Sequence, residues 1–180
     1  MIKQIPNPQL HNPKKIFRIN KGEKKTVVVN SSGTYVVELR GKGAEALIVG
    51  AMKITGNENV TIHTVQHHMA PDTKSDLLIK AVLYDKARLM YDGLIKIDKT
   101  AQHANAYQRQ ENLLMSDSVH VESKPELEIK ANEVRCTHGA TMGMIDEEQV
   151  FYLMSRGLFR SIAEDLIVEG FLESALEKIQ

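Results

Sequence analysis

The sequence predicts a mainly β body followed by a short helical tail. Three observations carry this: many short runs alternate apolar and polar residues, turn residues rather than helices separate them, and the periodicity changes after Gly143. We therefore divide the chain into a β core over residues 1–145, with an irregular lead-in, and a helical segment over 146–180.

The lead-in, residues 1–25, contains Pro6, Pro8 and Pro13 with Asn7 and Asn12 and predicts irregular chain. From Thr26 to about Arg135 the β-type runs follow one another. Tyr35, Val37 and Leu39 share one face while Glu38 and Arg40 take the other. The odd positions of Leu77 to Leu83 are all apolar. Ile95 and Ile97 alternate with Lys96 and Asp98, Val119 and Val121 with His120 and Glu122, and Leu127 and Ile129 with Glu126, Glu128 and Lys130. Alternation of this kind predicts strands buried on one face only. Residues 30–33, 41–43, 55–59 and Asp92-Gly93 read as turns. With no amphipathic helix between strands, a helix-wrapped parallel sheet is disfavoured, and a sandwich, a barrel or a β-helix stays open. No fixed-period repeat selects among them.

In the tail, Asp146 predicts an N-cap, Glu147 and Glu148 suit the positive end of the helix dipole, and Gly157 predicts a stop. Ser161 with Glu164 reads as a capping box opening a second helix. Ile162, Leu166, Val168 or Glu169, Leu172, Ala175, Leu176 and Ile179 form its predicted apolar stripe, with Gly170 a weak point inside it.

Lys and Arg together number 23, as do Asp and Glu, so no net field draws the chain to nucleic acid or an anionic membrane. The basic N-terminal part and the acidic C-terminal part read as solvated faces. One cysteine cannot form an internal disulfide, no apolar run reaches membrane-span length, and the start lacks a signal peptide's apolar stretch. The expectation is a soluble cytoplasmic protein.

The chemistry concentrates around Cys136, with His138 two residues on. By strand parity Val134, Cys136 and His138 point one way, and Gly139 is expected to let the chain turn. Such a pair serves as part of a metal site, as a nucleophile with its base, or as a packed thiol beside a turn histidine. A thiol-protease dyad is disfavoured, since a residue two along a strand is poorly placed as general base. A metal site needs about four ligands, and one chain has a single cysteine. His63, His67 and His103 raise a second possibility, a cupin-type metal-dependent barrel. His63 and His67 share a strand face, whereas His67 and His68 point oppositely. We read the His63, His67, His68, His103 and His120 set as surface histidines. Phosphate-loop, dinucleotide, nucleophile-elbow and zincin motifs are absent.

Val134-Arg135-Cys136-Thr137-His138-Gly139-Ala140-Thr141 and the run from Asp146 to Gly157 resemble the SufB/SufD family of iron–sulfur cluster assembly scaffolds. Tyr91 to Ile95, Ala101-Gln102, Ala106 to Gln108, Asn112 to Ser116, Pro125 to Ile129 and His67 to Ser75 follow that family's wording in order. The resemblance runs from about residue 60 to 179. It implies a right-handed parallel β-helix followed by helices, and docking of an ABC-type ATPase of the SUF type on the C-terminal helical region. The chain itself is then a scaffold and no enzyme, with ATP hydrolysis left to the partner. Cys136 and His138 fall on the family's cysteine and histidine near the scaffold interface, and Glu164 or Asp165 falls near an acidic ligand candidate. Two departures stand out: the chain is shorter than usual members, with no N-terminal helical domain. It also lacks the further cysteine of SufB-type subunits, which leaves sulfur acceptance unassigned.

These residues suggest a way of working. A two-fold pairing of the open β-helix ends, in a homodimer or with a related scaffold subunit, brings two Cys136 and two His138 together. That set meets the requirement of a transient [2Fe–2S] cluster bridging two subunits. A subunit that docks the ATPase and pairs with a larger scaffold without holding a cluster is the alternative.

Overall fold

The computed structural model describes residues 13–179. Ten strands run in chain order: β1 (Lys14–Ile19), β2 (Lys24–Val28), β3 (Gly33–Leu39), β4 (Glu45–Ile54), β5 (Asn59–His68), β6 (Lys74–Leu83), β7 (Arg88–Ile97), β8 (Asn105–Leu114), β9 (His120–Ile129) and β10 (Arg135–Met144). Helices α1 (Glu147–Ser155) and α2 (Arg160–Leu176) follow.

Every strand pairs in parallel with the strand two along, never with its neighbour in sequence. The result is two five-stranded sheets, ordered β1-β3-β5-β7-β9 and β10-β8-β6-β4-β2. Parallel pairing without crossover helices requires the chain to coil, so the fold is a parallel β-helix. This selects among the sandwich, barrel and β-helix that alternation leaves open, and it removes the cupin-type barrel. The repeat is real but not fixed. Stacked partners are 20 residues apart at Lys15 and Tyr35, 29 at His67 and Lys96, 31 at Lys74 and Asn105, and 32 at Lys96 and Glu128. A period that drifts in this way escapes a search for exact recurrence.

The corners absorb the drift. On one side Gly22, Gly43, Asp72 and His103 all adopt positive φ, at 66°, 72°, 58° and 61°. Each donates its backbone N–H to the next turn, to the carbonyls of Lys42, Pro71, Gln102 and Glu133. Asp and His at two of these positions carry a side chain where glycine is the easier choice.

The inward faces form the core, including Tyr35, Val37, Leu39, Ile48, Ile62, Leu77, Ile79, Leu83, Leu89 and Tyr91. Asp92-Gly93 is no turn. Gly93 lies inside β7, and a Cβ there would overlap the Gln108 amide and the Tyr91 hydroxyl. Gln108 donates to the Gly93 carbonyl at 3.2 Å, so the glycine makes room for a buried amide. His68 is no surface histidine either. It is fully buried, its two ring nitrogens held at 2.8 Å by the Thr73 and Ser75 hydroxyls. Its neighbour His67 does point outward, as parity predicts, and pairs with Asp98 at 3.0 Å.

Four other expectations need correction. Within the lead-in, residues 14–19 form β1 and Lys24 and Lys25 open β2, because an N-terminal turn stacks on the next whatever its own pattern. Strands β4 and β6 are buried on both faces: Val49 and Leu78 point outward and pack beneath Ala175 of α2. In the tail, Asp146 caps α1 by accepting from the backbone N–H of Glu148 and Gln149, and Gly157 follows its end at φ 94°. The Ser161–Glu164 capping box does not form; Phe159 is the N-cap residue without a side-chain bond, and Glu164 pairs with Arg160 at 2.7 Å. The predicted stripe is right only at Val168 and Ala175. α2 buries Ala163, Val168 and Ala175, while Ile162, Leu166, Leu176 and Ile179 are exposed.

Burial lowers the pKa of His68 to about 4, with the neighbouring His67 adding to the shift. A folded-state value below the unfolded 6.5 means that the unfolded chain takes up the proton first. Stability therefore falls as pH drops from about 6.5 to about 4 and levels below that, by roughly 3 kcal/mol at most. Urea unfolding across this range should show the slope, and His68→Gln should flatten it. Replacing Gly93 by Ala should cost about 2 kcal/mol from overpacking, measured by the same unfolding.

Candidate functional site at the open end of the β-helix

Each turn of the β-helix buries its inner face against the turns on either side, and the last turn has a neighbour on one side only. β9 and β10 are the terminal strands of their sheets, with no strand among the described residues paired on their outer edges. The consequence is visible in burial. Ile95 and Ile97 of β7 are fully buried, whereas Leu127 and Ile129, stacked on them in β9, are 41% and 40% exposed. On β10, Met142 and Met144 point the same inward way and are 54% and 49% exposed. The chain thus ends in an apolar, uncapped mouth.

Cys136 and His138 belong to the β10 wall of this mouth. Parallel register sets Cys136 over Ala106 and His138 over Gln108, both buried, so the two side chains share the inward face. Cys136 is half-buried and packs, with Val134, against Ile95, Ile97, Ala101, Ala104, Ala106 and Ala131. This dry surrounding pushes the thiol pKa up, since burial disfavours the thiolate. His138 is exposed. Gly139 makes no turn; β10 runs straight through it to Met144, and a Cβ at Gly139 or Gly143 would meet nothing within 4 Å.

The other candidates lie elsewhere. His63 and His67 sit on the outer face of the odd-numbered sheet, paired with Asp92 at 2.9 Å and Asp98 at 3.0 Å. His103 occupies a positive-φ corner with Glu133 at 3.5 Å. His120 opens β9 and is exposed. Glu164 and Asp165 lie in the first half of α2, beside Ala163, which packs on Ile145 just past the end of β10. Cys136 lies near the start of that strand, about 26 Å from Met144 at 3.3 Å per residue. Within one chain they do not meet Cys136. Their charge is felt instead by Tyr84, whose phenol is pushed up by burial first and then by Asp165 and Glu164. Among the described residues no three His, Cys, Asp or Glu side chains are grouped to hold a metal ion.

A single chain therefore offers one thiol and one imidazole, facing out of an unfinished β-helix. Residues 20–171 match the family model described as SUF system FeS cluster assembly, SufBD core domain. The chain belongs to the SufBD core family. It is 34% identical to the iron–sulfur cluster assembly protein SufD of Escherichia coli over 143 residues, 79% of this chain and 34% of that protein. It is 31% identical to SufD of Bacillus subtilis over 75% of this chain and 30% of that protein. A SufBD family iron–sulfur cluster assembly protein of Synechocystis is 35% identical over 61% of this chain and 24% of its own length. The chain spans about a third or less of these curated relatives.

The SufBD core has a second surface on its C-terminal helices, whose exposed residues the sequence reading did not single out. Phe151, Tyr152 and Met154 of α1 are exposed, as are Phe159 at 81% and Ile162 and Leu166 of α2. The signal was present as apolar residues in excess of what one stripe needs, but the stripe was assigned to the core. The mouth residues Leu127, Ile129, Met142 and Met144 were equally hidden. Their parity is readable, whereas being last in the stack is not. No helix among the described residues is long and apolar enough to cross a membrane.

Proposed function

We propose that this SufBD core acts as a scaffold subunit in iron–sulfur cluster assembly, with the nascent cluster built where two open β-helix ends meet. The observation that carries the reading is the inward, half-buried Cys136 beside His138 at an apolar mouth with two unpaired strand edges. Free edges and exposed Leu127, Ile129, Met142 and Met144 favour covering by a second β-helix end. A two-fold pairing supplies two thiolates and two imidazoles, the number of ligands a [2Fe–2S] cluster requires. Iron binding has to displace the proton that burial retains on Cys136.

The exposed aromatic and aliphatic face of α1 and α2 is the surface on which an ABC-type ATPase docks in this reading, supplying the ATP hydrolysis. The names of the relatives support the pathway. The second reading, a subunit that docks the ATPase and pairs with a larger scaffold while holding no cluster, is favoured by the apolar packing of Cys136, which keeps its thiol protonated.

Anaerobic reconstitution with iron and sulfide separates the two readings. The wild-type chain should gain visible cluster absorbance and retain iron and sulfide. Cys136→Ser should lose both with an unchanged far-ultraviolet circular dichroism spectrum. Absorbance that survives the substitution ends the Cys136 assignment, and absence of any cluster in the wild type selects the structural subunit. For docking, Phe159→Asp or Leu166→Asp should weaken binding of a SUF-type ATPase by about tenfold or more, while leaving the melting temperature nearly unchanged. Titration calorimetry of each variant checks this.

A further inference from the structure

Alternate residues of β10 face the core side, so Cys136, His138, Ala140, Met142 and Met144 form one inward column. Residues 130–134 join β9 to β10, which places Cys136 at the Ile129 end of the mouth and the two methionines at the far end. Cys136 and Met142 are about 20 Å apart along the strand at 3.3 Å per residue, so the thioethers share no ligand set with the thiol of their own chain. Their counterparts one turn back are Asn112, which is buried, and Leu114, which packs on the core. In the last turn that cover is missing, and Met142 and Met144 stand about half exposed. The other exposed methionines among the described residues lie away from the mouth, Met90 on the outer face of β7 and Met154 on α1. Met52, Met69 and Met115 are partly buried.

A thioether reacts with peroxide without first losing a proton, whereas a thiol must ionise. Cys136 is half-buried and held protonated, so the methionines are the more open targets at this end. In the reaction the O–O bond of hydrogen peroxide breaks, one oxygen bonds to sulfur and the other leaves as water. Sulfur gives up two electrons and peroxide takes them. The product is a polar sulfoxide on a surface that has to become dry when covered. Val121, Leu127 and Ile129, which face the same mouth, offer that oxygen no donor. We infer that Met142 and Met144 are modification sites for peroxide, and that their conversion to sulfoxides blocks covering of the open β-helix end by a second copy of this chain. The inference rests on the pairing of open ends proposed above. A two-fold interface brings four such thioethers together, so each oxidised copy carries two lesions into it. Covering in turn shields the sulfur atoms, so pairing and oxidation exclude each other. A thiol-dependent sulfoxide reductase reverses the change: two thiols become a disulfide and the oxygen leaves as water.

Self-association of the full chain is followed by sedimentation velocity before and after hydrogen peroxide, with the oxidised residues located by mass spectrometry. In the wild type the apparent dissociation constant should rise about tenfold or more. Met142→Leu/Met144→Leu should change by less than about twofold relative to its own untreated state, since leucine keeps the bulk and lacks the sulfur. Met90→Leu should respond to peroxide as the wild type does. A second measurement needs no substitution. At chain concentrations well above the dissociation constant, Met142 and Met144 should oxidise about fivefold more slowly than in the dilute chain, and Met90 at an unchanged rate. Pairing that persists with both residues as sulfoxides overturns the inference, as does an equal loss in Met142→Leu/Met144→Leu. A wild-type chain that is monomeric before peroxide ends the pairing of like ends and this inference with it, so the untreated sample tells the two failures apart.

Discussion

The parallel register of successive turns is the constraint from which everything else follows. Each strand satisfies its backbone groups with the turn before and the turn after, and each inward side chain stacks on its counterpart one turn away. Such a structure has no internal reason to stop. It ends only where the chain runs out of turns, and there both the hydrogen-bonding edges and the apolar lining are left unfinished. Cys136 and His138 occur in that unfinished turn.

The two sheets play different parts. The odd-numbered sheet leaves its outer face to paired charges such as His67 with Asp98 and Lys96 with Glu128. The even-numbered sheet is covered over β4 and β6 by α2, and it also carries Cys136 on its last strand. Helix and cysteine therefore share one sheet, whereas the other sheet meets the mouth through β9, where Glu128 pairs with Lys96 of β7.

Much of the fold was legible, and the failures have physical causes. Alternation gave the strands from Thr26 onward, because period two is a local property of any half-buried strand. It could not reveal pairing two strands along, which depends on corners whose φ values are not written in residue type: Asp72, Asp85 and His103 occupy a conformation usually read as glycine's. Gly93 looked like a turn because its role is steric, to admit Gln108, and that depends on a partner 15 residues away. His68 looked exposed because its burial depends on the Thr73 and Ser75 hydroxyls. At the site, the parity of Cys136 and His138 was readable from the strand, but the exposure of the mouth was not. α2 misled because it is apolar on two sides, and the bulkier side faces outward.

The drift of stacked partners between 29 and 32 residues along the later turns has an evolutionary corollary. Since the strands keep their ladder while corner length varies, residues can be gained or lost at the bends without shifting any inward side chain off its column. Descendants of one ancestor should then differ in spacing at the bends while their strand positions remain superimposable. Comparing such chains by a fixed offset would misplace whole turns; comparing them rung by rung would not.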